Sequence, residues 1–323
     1  MLSEAQGNRI LQYLLVLIIS ISINFFLPRL MPGNPLALLA GAEVGMLTPE
    51  ERAQVIADAS LDQPLWKQYI NYLGNLARGD FGYSYRQKRP IIDVIAERVP
   101  WSLLVAGGSL IVSAILGISL GALAAWNRAK MIDISLLWGM ITVDSLPSFW
   151  VGMLLISVFA VQLGWLPSHG AVTPGVPLVG WDRLVDILKH AAMPIFTLSL
   201  ISTPNLFLTM RYTMLGILGE DFIRTARAKG LTERAVLFRH AVRNALSPVV
   251  TILALRLGFA FGGTVVTETV FSYPGLGRLI FEAVSGRDYP VMQAAFLLFT
   301  MAILLSNLIA DLIYPLLDPR AKL

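Results

Sequence analysis

A chain of 323 residues with 55% hydrophobic residues, 14% charged residues and a mean hydropathy of +0.66 is too apolar for a water-soluble fold, since soluble domains carry about 25% charged residues. The net charge of +4 is small, and the lack of cysteine excludes disulfides, thiolate metal sites and cysteine nucleophiles together. His169, His190 and His240 are scattered without a ligand pattern, and no Walker A, GxGxxG or GxSxG sequence occurs, so the chemistry that powers this protein is expected on another chain.

In chain order, a short polar N-terminus (1–9) leads into the first of six stretches with the roughly 20 apolar residues that a bilayer-crossing helix needs: 10–29, 101–126, 133–161, 191–212, 247–270 and 292–315. The first run outlasts a signal-peptide core of about 7–15 residues and reaches Pro28 without a small-residue cleavage site, which predicts an uncleaved span. Between spans one and two lies a long segment, 30–100. Its Thr48-Pro49-Glu50-Glu51 is a capping box with proline at the first helical position, so a helix is expected to begin at Thr48. A second amphipathic helix is expected after Pro64, burying Leu65, Tyr69, Leu73 and Leu76 and stopping near Gly79. Two roles stay open for this segment: a small external cap on the spans, or a receiver for a soluble partner.

Six spans put both termini on one side, and the basic residues choose the side. Arg128 and Lys130 lie in the short loop 127–132, and Arg320 and Lys322 in the tail 318–323. Arg211, Arg224, Arg227, Lys229, Arg234, Arg239 and Arg243 cluster between spans four and five. Two of the opposite loops carry few, Arg183 and Lys189 in 163–190 and Arg278 and Arg287 in 271–291; the first, 30–100, carries more, but long segments translocate largely regardless of charge. Both termini are therefore expected in the cytoplasm.

The basic loop "GEDFIRTARAKGLTERAVLFRHAVRNALSPVV" (Gly219–Val250) reads as two short helices. Glu220 and Asp221 suit a helix start, and Gly230 suits a stop after Lys229. Thr232 can cap a second helix, expected to end near Leu246 and Ser247 because of Pro248. A basic anchor on anionic headgroups would want large apolar residues on its buried face. The first helix instead offers Thr225, Ala226 and Ala228, small residues that admit another backbone. Docking into a partner's cleft is the better reading.

The segment "RTARAKG" resembles the EAA loop of permease subunits in ATP-binding-cassette (ABC) importers, with Arg224, Thr225 and Ala226 on the three-residue signature and Gly230 on its glycine. Two departures mark it. Arg224 stands where the signature has an acid, and "HAVRNA" replaces the usual Leu-Pro. Both look typical of the B-type branch of the dipeptide, oligopeptide and nickel permeases. "PGNP" (Pro32–Pro35), "LDQPLWKQYINYLGNLARGDFGYS" (Leu61–Ser84), "ERVPWSL" (Glu97–Leu103), "LPSFW" (Leu146–Trp150), "TETVFSYPGLGRL" (Thr267–Leu279), "RDYPVMQ" (Arg287–Gln293) and "DLIYPLLDPR" (Asp311–Arg320) resemble that branch in its order.

The resemblance implies an all-α integral membrane protein of the type I ABC importer fold. It would have six transmembrane helices, both termini cytoplasmic, a small helical periplasmic segment (30–100) and a core permease domain (101–317) containing the coupling loop 219–246. It implies a bacterial inner-membrane permease that is not itself an enzyme and holds no cofactor, ATP and Mg belonging to two partner ATP-binding subunits. The further partners would be a C-type permease subunit, a periplasmic solute-binding protein and the lipid bilayer, with no nucleic acid. Glu220, Asp221, Arg224, Thr225, Ala226, Ala228, Lys229 and Gly230 would form the coupling helix. Peptide is the default cargo; nickel complexes, oligosaccharides and opine-like solutes are the alternatives.

Charges inside a membrane are costly and therefore informative. Asp144 lies about 16 Å along span three from Asp133, and Arg256 about 13 Å along span five from Ser247, both counted from the cytoplasmic side. Similar depth suggests that they pair or share a water-filled cavity; Glu268, near the outer end of span five, joins them as a pathway candidate. Pro147, Gly152, Pro194, Pro204, Gly258, Gly262 and Gly263 offer bends and close contacts, or are ordinary membrane-helix packing. An ion-coupled secondary transporter would be expected to show repeated halves and more buried acids, and an intramembrane enzyme a catalytic cluster; neither is evident.

Overall fold

The computed structural model describes residues 4–30, 45, 48–58, 60–84 and 86–317. "PGNP", most of 31–47 and the tail 318–323 lie outside them. The chain forms two compact units, Met1–Ser102 with Pro274–Leu304, and Leu103–Tyr273 with Leu305–Leu323.

The first unit is built on α1 (Glu4–Leu30), followed by α2 (Pro49–Asp58) and α3 (Leu65–Ala77). As the capping box predicts, α2 starts at Pro49, with the Arg52 amide donating to the Thr48 carbonyl at 3.0 Å. α3 stops two residues before Gly79, whose φ of +77° reverses the chain in a region glycine enters without strain. A small antiparallel pair, β1 (Tyr83–Ser84) and β2 (Arg89–Pro90), leads into α4 (Ile91–Trp126). The unit also holds α11 (Leu276–Ser285) and the first half of α12 (Tyr289–Leu317). Polar groups knit it together. Asn24 and Gln293 exchange side-chain-to-backbone hydrogen bonds between α1 and α12. Ser84 donates to Asp288 at 2.6 Å, and Ser102 accepts the Leu276 amide at 2.7 Å.

The face that α3 buries differs from expectation. Gln68 is buried, and Tyr69, Tyr72, Asn75 and Leu76 are half-buried, whereas Leu65 and Leu73 join Trp66 and Ile70 on the exposed side. Aromatic rings on α1 explain the choice. Tyr69 packs on Phe25 and Phe26 at 5.2 and 5.5 Å between centroids, and its hydroxyl meets Ser22 at 2.6 Å.

The second unit contains the rest of α4, then α5 (Met131–Asp144), α6 (Ser148–Leu155) with a π-helical extension Ile156–Gln162, and the 39-residue α7 (Gly180–Leu218). α8 (Asp221–Ala228) and α9 (Glu233–Ala235) follow, the latter passing through a π-helical stretch Val236–Val242 into α10 (Arg243–Val270). α7 is the hub, packing on α5, α6 and α10. Gly117 and Gly121 of α4 let α7 approach closely: a Cβ at Gly121 would lie 2.7 Å from the Phe207 carbonyl oxygen and 2.8 Å from Met210 Cβ.

Among the described residues, Ile91–Trp126, Gly180–Leu218 and Tyr289–Ile309 are long and apolar enough to cross a membrane, and Leu11–Phe26 is a shorter apolar helix. Two expectations need correction. The predicted span 133–161 is not one rod, because α5 and α6 meet at a 100° bend. Pro147 stands at the break, where it lacks an N–H for the ladder and biases Leu146 away from helical geometry. Asp144 is therefore the last residue of α5, at the corner and exposed, rather than midway along a straight helix. Pro248, conversely, does not stop its helix; it lies inside α10. Neighbouring helices and π-type adjustments tolerate a proline in such helices.

Candidate functional site

The loop after α7 is a folded element with two distinct faces. Glu220 occupies the N-cap of α8 with extended backbone, and Asp221 sits in the first turn, where the helix dipole favours an anion. The Thr225 hydroxyl donates back to the Asp221 carbonyl at 2.9 Å. The helix closes at Lys229, and Gly230 (φ +76°) turns the chain toward Thr232, whose Oγ1 caps α9 by accepting the Ala235 amide at 3.3 Å.

One face of α8 holds Ile223 (0% exposed) and Ala226 (4%), which enter a core with Ala125 of α4, Leu206, Met210 and Met214 of α7, Val236, and Ala245 and Val249 of α10. The loop is thus bolted to three long helices. A push on α8 is delivered directly to α4, α7 and α10, because a close-packed core transmits displacement. Ala226, expected on the docking surface, belongs to this inner face; its smallness lets α8 sit close to its own helices.

The opposite face is open. Glu220, Asp221, Arg224, Thr225, Ala228, Lys229 and Gly230 are exposed, with Phe222, Leu231 and Phe238 beside them. Arg224 meets Asp221 at 3.3 Å, but both are highly exposed, so the pair contributes little stability. Arg227 pairs with Glu233 at 3.1 Å and lies 5.9 Å from the Trp126 ring centroid, which staples α8 to α9 and to the end of α4. The surface carries acidic and basic groups in equal number, with apolar side chains interleaved.

Nearby, Asp133 at the start of α5 accepts a bidentate pair of bonds from Arg211 of α7, at 2.7 and 2.9 Å, and also accepts the Ala129 amide. Asp133 is 3% exposed. The sequence alone does not join Asp133 to Arg211, which lie 78 residues apart. The signal available was an isolated acid among the basic residues flanking the span ends. The Gly117-x-x-x-Gly121 spacing is likewise legible in the sequence as a site of close helix approach.

The pathway candidates separate. Asp144 lies at the α5–α6 corner, Arg256 is half-buried in α10, and Glu268 is fully buried two residues before that helix ends. The Asp144 charge acts on Arg256, yet among the described residues no ion pair joins them. Beyond Glu268, its carbonyl accepts the Tyr273 amide at 2.8 Å, and Phe271 and Tyr273 are buried. Gly152 of α6 makes room there, since a Cβ would stand 3.2 Å from Phe271. Asp186 of α7 accepts both the amide and the hydroxyl of Thr173, at 2.8 and 2.7 Å.

A helical membrane core with a two-faced loop bolted to its long helices is the architecture of an importer permease. Residues 117–323 match the family described as binding-protein-dependent transport system inner membrane component, and residues 7–106 match the N-terminal membrane component of the same systems. The chain belongs to this family of ABC importer permeases.

Among its relatives is the dipeptide transport system permease protein DppB of Escherichia coli K12, 37% identical over 317 residues that cover 93% of each chain. Another is the glutathione transport system permease protein GsiC of the same strain, 38% identical over 319 residues, covering 98% of this chain and 97% of the relative. Likeness at this level along nearly the whole sequence bears out the resemblance to the B-type branch. A solved structure of the MetNI methionine ABC transporter, in an inward-facing conformation, aligns with TM-score 0.57 and 18% identity over 70% of this chain and 96% of that one, which speaks for the fold.

Proposed function

We propose that this permease forms one half of a translocation pathway for di- or oligopeptides in the bacterial inner membrane. The identity to dipeptide and glutathione permeases along almost the full chain carries this reading. The other half is a C-type permease subunit. Two ATP-binding subunits, carrying ATP and Mg, dock below, a periplasmic binding protein delivers the solute, and this chain catalyses no reaction itself. Six membrane segments (10–29, 101–126, 133–161, 191–212, 247–270 and 292–315), the third a crossing broken by the 100° bend at Pro147, place both termini in the cytoplasm and 30–100 in the periplasm.

The coupling element is Glu220–Gly230. Its outer face seats in the ATPase, with Arg224 and Lys229 meeting acidic groups, while Ile223 and Ala226 pass the motion inward to α4, α7 and α10. Asp144, Arg256 and Glu268 line or gate the pathway, Asp144 at the α5–α6 corner about which the bend would change. The test is peptide uptake into proteoliposomes containing the four membrane and ATPase subunits. Uptake should require ATP and the binding protein, and Arg224→Glu should abolish it without loss of this subunit from the membrane. Uptake by this chain alone would sink the proposal. Asp144→Asn and Arg256→Gln should each lower uptake; full activity in both would remove these residues from the pathway.

A further inference from the structure

α3 presents its apolar side outward, and its place on α1 indicates what covers that side. Contacts of α3 with α1 run from Ser22 to Arg29: Ser22 with Tyr69, Phe25 with Tyr69 and Tyr72, Phe26 with Tyr69, and Arg29 with Gln68 at 3.2 Å. These residues recur at helical spacing on one face of α1. The preceding positions on the same face are Leu11, Leu15 and Ile18, each between 49% and 56% exposed. They belong to the apolar stretch Leu11–Phe26. α3 is therefore a bracket at the end of the shorter apolar helix Leu11–Phe26, projecting over a face that nothing among the described residues of the first unit covers below it.

The outward residues of α3 suit that position. Leu65, Trp66, Ile70 and Leu73 are 54, 64, 57 and 37% exposed. At about 100° per residue Trp66, Ile70 and Leu73 share one side of the helix, while Leu65, its first residue, is exposed at the helix start. Trp66 is the residue type favoured at the boundary between headgroups and acyl chains. Lys67 has a stem long enough to take its ammonium up to the headgroups. The inward side carries the polar groups Gln68, Tyr72 and Asn75, which bond within the protein or line a cavity with Arg29, so the helix has exchanged the usual arrangement of a water-exposed amphipathic helix.

We propose that α3 is an interfacial helix, lying in the outer headgroup–acyl boundary with Trp66, Ile70 and Leu73 in contact with lipid and fixing the height of the 30–100 segment above the bilayer. The proposal rests on α1 being a membrane span with its Arg29 end outward.

The full importer reconstituted with phospholipids brominated on their acyl chains tests it. Trp66 emission is obtained as the difference between the wild type and Trp66→Phe, because the chain has seven tryptophans. Bromines near the headgroup end of the chain should quench this emission more strongly than bromines near the methyl end. Ile70→Glu should weaken that quenching while ATP-driven uptake persists, since Ile70 makes no contact that the fold of the unit needs. Quenching of the other tryptophans without quenching of Trp66 would overturn the interfacial helix and leave the membrane reading standing; a protein or solvent then covers the stripe. No quenching of any tryptophan would overturn the span assignment itself.

Discussion

α3 and α8 are both short amphipathic helices set in loops of a membrane protein, and they are mounted in opposite ways. α8 hides its apolar residues, Ile223 and Ala226, and shows Arg224 and Lys229 to the outside. α3 hides Gln68 and the polar tips of Tyr69 and Tyr72, and shows Leu65, Trp66, Ile70 and Leu73. Periodicity alone describes the two helices equally well. The difference lies in what each packs against. Beneath α8 is a wholly apolar floor of Met210, Met214, Ala245 and Val249. The ground under α3 offers the Ser22 hydroxyl and the Arg29 guanidinium as well as two phenyl rings, so tyrosines and a glutamine fit it better than leucines do. An amphipathic helix buries the face that its neighbours can satisfy, and in lipid that face need not be the apolar one.

The contrast can be broken by substitution. The largest effect is expected for Ile223→Ala, which opens a cavity under α8 at a cost of about 3 kcal/mol; co-purification of the ATPase subunits should fall with it. Tyr69→Ala removes the ring contacts with Phe25 and Phe26 and the bond to Ser22, costing the α3 mount about 2 kcal/mol. Faster proteolysis within 48–90, with the α8 loop unaffected, would show it.

Alkali should separate the two helices. Burial raises the Tyr72 hydroxyl from 10.0 to about 12, with the Arg29 charge opposing the rise. A raised folded pKa means that the stabilisation is complete below pH 10 and is lost as pH climbs toward about 12. The α8 loop contains no tyrosine. Hydrogen exchange measured across that window should therefore show α3 loosening first; Tyr72→Phe should abolish the difference. Arg227→Ala comes next in size. It removes a half-exposed ion pair with Glu233 and a long contact to Trp126, worth about 0.5 kcal/mol together. Smallest of all, Ile70→Ser should change the stability of detergent-solubilised protein by less than about 0.5 kcal/mol. A loss of several times that would mean that Ile70 is core, and that the two helices are mounted alike after all.

Much was determined by sequence alone: the membrane class from composition, the start of α2 at the capping box, the start, glycine stop and Thr232 cap of the α8–α9 loop, and the family. Each of these follows from local rules, in which capping groups, glycine dihedrals and apolar runs act within a few residues of themselves. The tertiary structure decided the rest. It turned Ala226 inward, bent the chain by 100° between Asp144 and Ser148, carried α10 through Pro248, joined Asp133 to Arg211 across 78 residues and rotated α3 so that leucines face out. These outcomes depend on partners that are distant in sequence. A proline breaks one helix and passes unnoticed in another according to what surrounds the freed carbonyl, and a helix face is inner or outer only once the neighbouring surface exists.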